Sequence, residues 1–466
     1  MMRTYHLDTA AKAPLYEQLY RAIRQDIMDG SLAGGEKLPS KRRLAEHLKI
    51  SPITVETAYS QLLAEGYVIS KPRSGYFVQA MERYPAPAVW GGEAPTQAPT
   101  EDTVRYDFQT NTVDTGCFPF ATWARLLRGE LTSRASQLLA AAPPQGAPEL
   151  RQEICRYLAE FRGIRTSPEQ VIVGAGSEYL LSLIIQLLGR ERVYSIENPG
   201  YPKLERIFRA NGASVAPVAL DAQGLRVDLL RRSGAGAVYL TPSHHFPLGV
   251  VMPAARRRDV LQWAIDGQDR YIIEDDYDSE FRYASRPIPA MKELDHADRV
   301  IYLNTFAKSL APSLRIGYMV LPRRLLEAYR SKLGFYASTV PSFEQYTLAQ
   351  FLRTGSFERH VSRIRNLYKG RRDALLAALQ RSALGPHIRI RGAEAGLHIL
   401  LTLDGKWSEE QMVLRAYEQG VRVSGLSGYY SGEGSGCPAS TVILGYAGLP
   451  ATDLEGAVAA LERAWT

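Results

Sequence analysis

The chain has 466 residues, more than one average folding unit, and its 45% hydrophobic and 23% charged residues are enough for a sizeable core. Three scattered cysteines, Cys117, Cys155 and Cys437, with no CxxC spacing, argue against a disulfide framework or a zinc site and fit a reducing cytoplasm. The net charge of +7 permits an anionic partner, no apolar run is long enough to span a bilayer, and the start MMRTYHLDTAAKAP shows no secretory leader.

In residues 14–30 apolar side chains at 15, 19, 20, 23, 27 and 28 recur at helical spacing, and Gly30 supplies a stop. Ser40 stands as N-cap before KRRLAEHLKI. Ser51 does the same before PITVETAYSQLLAEG, where Pro52 takes the first helical position without losing a hydrogen bond. Two short helices joined by a tight turn make a helix-turn-helix. Tyr67 to Val78 then reads as two strands around the basic turn Lys71-Pro72-Arg73-Ser74-Gly75. The expected unit is an α+β winged helix over 1–79. Eleven Lys/Arg against eight Asp/Glu give residues 1–80 a net charge of only +3, so placement matters more than sum. Lys37, Lys41, Arg42, Arg43 and Lys49 cluster around the second helix, and Lys71 and Arg73 tip the wing with Ser74 and Gly75. Those positions meet phosphates, while the start of the third helix meets base edges.

The run Gly30…Gly35…Leu38-Pro39-Ser40-Lys41-Arg42-Arg43-Leu44-Ala45, then Ile50-Ser51-Pro52-Ile53-Thr54-Val55, then Glu65-Gly66-Tyr67 and Ser74-Gly75-Tyr76-Phe77-Val78, resembles the winged helix of GntR-type regulators. The resemblance implies that Arg42 meets the backbone of double-stranded operator DNA and that Ser51 and Thr54 lie at the groove. One departure stands out: that family usually carries arginine after the capping residue, where this chain has Pro52.

Residues 80–103 hold four prolines and two glycines without an apolar period, a semi-extended linker. From 104 to 466 helices and apolar strands alternate, which predicts an α/β domain with a mostly parallel sheet and its ligands at the C-terminal strand ends. Val171–Val173 is a strand, and Gly174-Ala175-Gly176-Ser177 leads from it into a helix over 178–188, a phosphate-binding geometry. Strands over 192–197 and 237–240 precede Asn198-Pro199-Gly200-Tyr201 and Thr241-Pro-Ser-His244-His245-Phe246-Pro247-Leu-Gly249. The two histidines read as a loop pair with structural hydrogen bonds rather than metal ligands. Tyr271–Ile273 delivers Glu274-Asp275-Asp276-Tyr277-Asp278-Ser279-Glu280-Phe281, and the strand Val300–Leu303 delivers Asn304-Thr305-Phe306-Ala307-Lys308 followed by Arg315-Ile-Gly. A lysine among small and apolar residues is a poor cation and a good nucleophile, as the Schiff-base lysine of pyridoxal 5′-phosphate must be. Asp275 can face the ring nitrogen of that cofactor and Tyr277 its ring oxygen. Ala175, Gly176, Ser177, Thr305 and Arg315 can hold the phosphate, and Tyr201 can stack on the ring.

These motifs together look like a fold-type I aminotransferase, and the whole chain resembles a MocR-type transcriptional regulator. The resemblance implies Lys308 as the aldimine lysine, a head-to-tail homodimer, and control of genes of amine, amino acid or vitamin B6 metabolism. Pyridoxal phosphate, or an amine or amino acid, would be the sensed ligand. The alternative is an active aminotransferase carrying a DNA-binding domain. Working aminotransferases usually have Asn-Pro-Thr-Gly where Phe246-Pro247-Leu248-Gly249 stands. They also place an arginine for the substrate carboxylate just before a strand that here reads Thr441-Val-Ile-Leu-Gly-Tyr446-Ala, without one. Lys203 and Arg422 are the candidate substitutes. In the C-terminal third, 345–352 and 357–379 are periodic helices, and Arg363, Arg365, Lys369, Arg371 and Arg372 read as a solvated face. Short strands at 388–390, 397–403, 421–423 and 442–446 around helices 408–418 and 453–464 predict a small α+β subdomain, mainly within 325–466.

Overall fold

The computed structural model describes residues 3–8, 11, 13–80, 104–110, 112–283, 289–405, 407–432 and 436–466. The linker expected over 80–103 lies, apart from Ala80, outside them. The chain divides into two compact units, Met1–Thr100 and Glu101–Thr466. No helix of the described residues is long and apolar enough to cross a membrane.

In the first unit α1 (Leu15–Met28), α2 (Lys41–Leu48) and α3 (Pro52–Ala64) precede the antiparallel pair β1 (Val68–Lys71) and β2 (Gly75–Val78). Ser40 Oγ accepts the Arg43 N–H, and Ser51 Oγ accepts those of Ile53 and Thr54, so both expected caps form; such a cap contributes about 1 kcal/mol. Leu19, Ile23, Val55, Tyr59 and Leu62 are fully buried between the helices. Leu38 N–H donates to Tyr76 O at 2.9 Å, which ties the segment before α2 to the wing. Lys71 lies opposite Gly75. Arg73 and Gly75 take left-handed φ of 56° and 109°, so the hairpin turns tightly at its basic tip. This is the winged helix that the capping and hairpin signals predict.

The second unit begins with β3 (Tyr106–Asp107), α4 (Phe120–Ser133), α5 (Ala135–Leu139) and α6 (Pro148–Arg162). Strands and helices then alternate through β4 (Val171–Gly174), α7 (Ser177–Leu188), β5 (Val193–Asn198), α8 (Pro202–Ala210), β6 (Ser214–Asp221), β7 (Gly224–Leu225) and α9 (Val227–Arg232). The alternation continues with β8 (Ala237–Leu240), α10 (Ala254–Asp266), β9 (Tyr271–Asp275), α11 (Met291–Leu294), β10 (Val300–Thr305) and β11 (Gly317–Val320). They form one eight-stranded sheet in the order β4-β11-β10-β9-β8-β5-β6-β7. The run β10-β9-β8-β5-β6 is parallel, and β11 and β7 are antiparallel to their neighbours. Both faces are covered. Ile172, Ile273, Ile301 and Leu303 enter one core and Val171, Val173, Tyr302 and Tyr318 another, as alternation along buried strands requires. β6 is the strand that apolar runs do not announce, because Pro217 interrupts it. It tolerates proline near the sheet margin, where only the two-residue β7 lies beyond.

The chain continues through α12 (Leu326–Leu333), α13 (Ser342–Arg353), α14 (Ser356–Arg381), β12 (Ile388–Arg391), β13 (His398–Leu403) and α15 (Glu409–Glu418). It ends with β14 (Val421–Arg422), β15 (Ser424–Gly425), β16 (Thr441–Gly445) and α16 (Leu454–Trp465). The small sheet is antiparallel, β12-β13-β16-β15, and packs on Tyr368, Leu375, Leu379, Val458 and Leu461. Its territory differs from 325–466 at both ends. α12 and α13 pack on α7, α4 and α6 of the large sheet, while β3, far upstream, pairs with β14. Arg371 corrects the reading of a wholly solvated basic face. It is buried and donates to Ala447 O and to Asp114, tying α14 to both ends of the small subdomain.

Candidate functional site

Four parallel strands end at one edge of the large sheet, at Asn198, Leu240, Asp275 and Thr305, and the loops that follow build a cavity of about 180 Å³. Gly176, Ser177, Tyr201, Asp275, Tyr277, Thr305, Lys308 and Arg315 all line it. Ala175 does not: its N–H donates to Thr339 Oγ1 at 3.0 Å and its carbonyl accepts from Arg315.

Lys308 follows β10 and lies deep in the protein with part of its surface open to the cavity. Burial lowers its ammonium from 10.5 to about 8, opposed by the charge of Asp278. Asp275, at the end of β9, is buried. Its Oδ2 accepts the Tyr239 hydroxyl, and its Oδ1 has no hydrogen-bond partner among the described residues. An unsatisfied carboxylate oxygen facing a cavity costs free energy until a donor reaches it. Burial pushes this carboxyl from 3.8 up to about 7, with the Tyr239 hydrogen bond opposing and the charges of Asp276 and Asp278 adding. Glu197, also in the wall, is likewise pushed up to about 7 by burial, although Thr241 donates to it twice.

The anion-binding end is the N-terminus of α7. Gly176 caps it at φ 87°, and a Cβ there would lie 3.3 Å from the Arg315 guanidinium. Arg315 lies 3.6 Å from Glu178, which also pairs with Lys203. Thr305 Oγ1 donates to Ile316 O at 3.2 Å and accepts the Ala307 N–H, so the turn before Lys308 is held by its own threonine.

Aromatic groups close the other side. Phe246 meets the rings of Tyr201, Tyr429 and His398 edge-on, with centroids 6.1, 5.3 and 5.1 Å away. The Tyr277 hydroxyl lies 3.3 Å from His244 Nδ1, which bonds Asp278 at 2.7 Å. The small subdomain touches these loops directly. His398 Nε2 donates to Pro247 O at 2.8 Å, and a Cβ on Gly396 would meet the His244 ring at 2.0 Å. Behind the cavity Arg162 is buried against Asp276 Oδ2 at 2.8 Å and donates to Ser243; the Tyr302 hydroxyl donates to the same oxygen at 2.7 Å. Burial works against that charge, yet Arg162 holds Asp276 below the ordinary carboxylate range.

Of the two candidate substitutes for a carboxylate-binding arginine, neither lines the cavity. Lys203 stands beside it in an ion pair with Glu178, and Arg422 bonds Asp107 at 3.1 Å across the β3–β14 pair. Sequence reasoning did not single out Tyr239, Glu197 or Glu178. Tyr239 carries no local signal, since it is one apolar-looking residue within Ala237–Leu240.

In the first unit Lys41 is engaged with Glu56 at 2.5 Å, while Arg42, Arg43, Ser51, Lys71, Arg73 and Ser74 are exposed and Thr54 and Gly75 half-buried.

The raised Asp275 carboxyl has a stability consequence. Protons bind the folded state more tightly than the unfolded one, so stability is fully present below 3.8 and is lost as pH rises towards 7. Asp275→Asn therefore gains on the unliganded wild type by roughly 1.4 kcal/mol per pH unit across that window, levelling off above it. Urea unfolding of both proteins from pH 5 to pH 8 checks this; a pH-independent gap would contradict it.

The aminotransferase class I and II model matches residues 107–461, and the bacterial regulatory protein, gntR family, model matches 15–78. The chain is 40% identical to an uncharacterized HTH-type transcriptional regulator, YdeL of Bacillus subtilis, over 99% of both chains. It is 35% identical to the probable rhizopine catabolism regulatory protein MocR of Rhizobium meliloti, over 97% of this chain and 94% of that one. It is 31% identical to the HTH-type pyridoxine biosynthesis transcriptional regulator PdxR of Corynebacterium glutamicum, over 90% and 89%. Among solved structures, the α-aminoadipate aminotransferase LysN of Thermus thermophilus, complexed with N-(5′-phosphopyridoxyl)-L-leucine, superposes with a TM-score of 0.67 at 26% identity. That match covers 78% of this chain and 92% of LysN.

Proposed function

Since this chain belongs to the MocR-type family of transcriptional regulators, a gntR-family DNA-binding unit joined to an aminotransferase class I and II domain, we propose that its second unit binds pyridoxal 5′-phosphate at Lys308. That cofactor, or an amine or amino acid meeting it there, sets the affinity of the first unit for operator DNA. The observation that supports this is convergence. One cavity is lined by the Lys308 amine, the Asp275 carboxylate with its unsatisfied Oδ1, and the α7 N-terminus with Arg315.

When bound, the cofactor supplies an aldehyde that condenses with a primary amine, and a pyridine ring that withdraws electrons from the product. Lys308 is the amine, and burial keeps more of it uncharged than a surface lysine would be. Asp275 Oδ1 would accept from the ring nitrogen, with Oδ2 fixed by Tyr239. The Gly176 and Ser177 amides, the Thr305 hydroxyl and Arg315 would hold the phosphate, and the missing Cβ at Gly176 lets backbone and guanidinium share that corner. Tyr277 would donate to the ring oxygen, and Tyr201 and Phe246 would shield the ring face.

The same cavity argues against efficient turnover. Among the described residues Arg315 is the only arginine lining it, so no second guanidinium forks onto an α-carboxylate. Phe246 stands where working aminotransferases usually carry asparagine. The second reading, an active aminotransferase, draws on the presence of both Lys308 and Asp275 in the cavity wall. Steady-state assays with amino donors and keto acids separate the two: sustained turnover would overturn the sensor reading. The small subdomain contacts the cavity loops through Gly396 and His398, so occupancy and subdomain position are physically linked. The working form is a head-to-tail homodimer, in keeping with the exposed Phe120, Leu139 and Phe335 of this unit. The controlled genes are those of amine, amino acid or vitamin B6 metabolism, in keeping with the names of the MocR and PdxR relatives.

On the DNA side, Arg42→Ala weakens binding similarly across sequences and lowers the salt slope by about 1. Lys41→Ala has the smaller effect, because Glu56 already neutralises that ammonium. Fluorescence anisotropy over a salt series measures both; an unchanged slope in Arg42→Ala would remove it from the phosphate contacts.

A further inference from the structure

The first two turns of α3 lack every side chain that reads a purine through two hydrogen bonds. Residues 51–58 are Ser-Pro-Ile-Thr-Val-Glu-Thr-Ala, without arginine, lysine, asparagine or glutamine. Three of the four polar side chains there are already engaged, and the fourth, Thr54, is half-buried. Ser51 Oγ accepts from Ile53 and Thr54, Thr57 Oγ1 donates to Ile53 O at 2.9 Å, and Glu56 pairs with Lys41. Val55 and Ala58 are buried. What stands into solvent is Ile53, 73% exposed, well above any other large hydrophobic described in this unit.

A helix-turn-helix sets the first turns of this helix into the major groove, flanked by cations on the phosphates. Arg42 and Arg43 on α2 and Lys71 and Arg73 on the wing supply those cations, all exposed. The one apolar feature that a base pair offers in the major groove is the 5-methyl group of thymine. We infer that Ile53 is a specificity-determining residue that packs on the methyl group of a thymine in each operator half-site. Pro52 at the first helical position, with its fixed φ, and the Ser51 cap present Ile53 on a stiff turn. A branched side chain there adds little rotamer entropy to the cost of contact. The inference concerns which sequence is bound and does not depend on what the second unit senses.

The test uses the full-length protein without added ligand. A duplex is first selected by the protein from a random pool, and each thymine is then replaced singly by deoxyuridine, which removes only the methyl group. At one thymine per half-site the loss weakens binding ~4-fold, the share of one buried methyl. In Ile53→Ala that position becomes indifferent to the replacement while the salt slope stays that of the wild type, and Ile53→Val keeps part of the discrimination. The inference is overturned if no thymine responds, or if the response survives at full size in Ile53→Ala. Because the methyl is removed from the DNA, the wild-type arm alone can overturn the inference, and Ile53→Val, which keeps a branched side chain on the same turn, assigns the response to residue 53 if Ile53→Ala fails to fold.

Discussion

Lys308→Ala abolishes the visible absorption band that the protein acquires with pyridoxal phosphate, and borohydride no longer fixes the cofactor to the chain. The effect is complete rather than graded, because no other lysine lines the cavity among the described residues. Lys203, the nearest rival, stands outside it and is held by Glu178. The noncovalent contacts survive the substitution: the Gly176 amide, Arg315 and Asp275 are untouched, so phosphate-dependent affinity falls without vanishing. DNA binding persists in the variant but stops responding to the cofactor. Absorbance and anisotropy on one sample check both halves. Retention of the band in Lys308→Ala would displace Lys308 from the centre of the site.

Arg162→Leu costs about 3–5 kcal/mol of stability in the second unit, the range for breaking a buried ion pair from one side. The cause is Asp276, left as a buried charge without its cation. The damage is not confined to packing. Arg162 ends α6 and bonds both Asp276, one residue beyond β9, and Ser243 in the loop after β8. Those two segments carry Asp275 and Phe246 into the cavity, so cofactor affinity drops as well. The double variant Arg162→Leu with Asp276→Asn removes the stranded charge and recovers much of the stability, without restoring the loop. Urea unfolding of the three proteins checks this; a loss in Arg162→Leu no larger than for a surface arginine would contradict it.

The frame of the site was legible because buried parallel strands are short apolar runs, and polar residues stand where each run stops. Tyr271–Ile273 ends in Asp275, and Val300–Leu303 leads to Thr305 and Lys308. Gly176 was legible as a helix-start glycine. What was not legible depends on residues distant in sequence. Nothing near Ala175 says that its amide is taken by Thr339, 164 residues on. Nothing near Asp275 names Tyr239 as its partner. Arg371 sits in a basic helical run that reads as solvent-facing, and only the fold brings Asp114 and Ala447 to it. Arg422 was nominated from its place in the sequence alone, and the β3–β14 pairing takes it to Asp107 instead.

The central claim, that occupancy of the Lys308 cavity is read out as DNA affinity, is tested most directly by one titration. Pyridoxal phosphate is added to full-length protein on a labelled operator duplex, with visible absorbance and anisotropy followed together. The predicted result is a change in DNA affinity whose midpoint coincides with formation of the absorption band and which is absent in Lys308→Ala. A band that forms to completion while DNA affinity stays constant, with and without amine or amino acid, would contradict it.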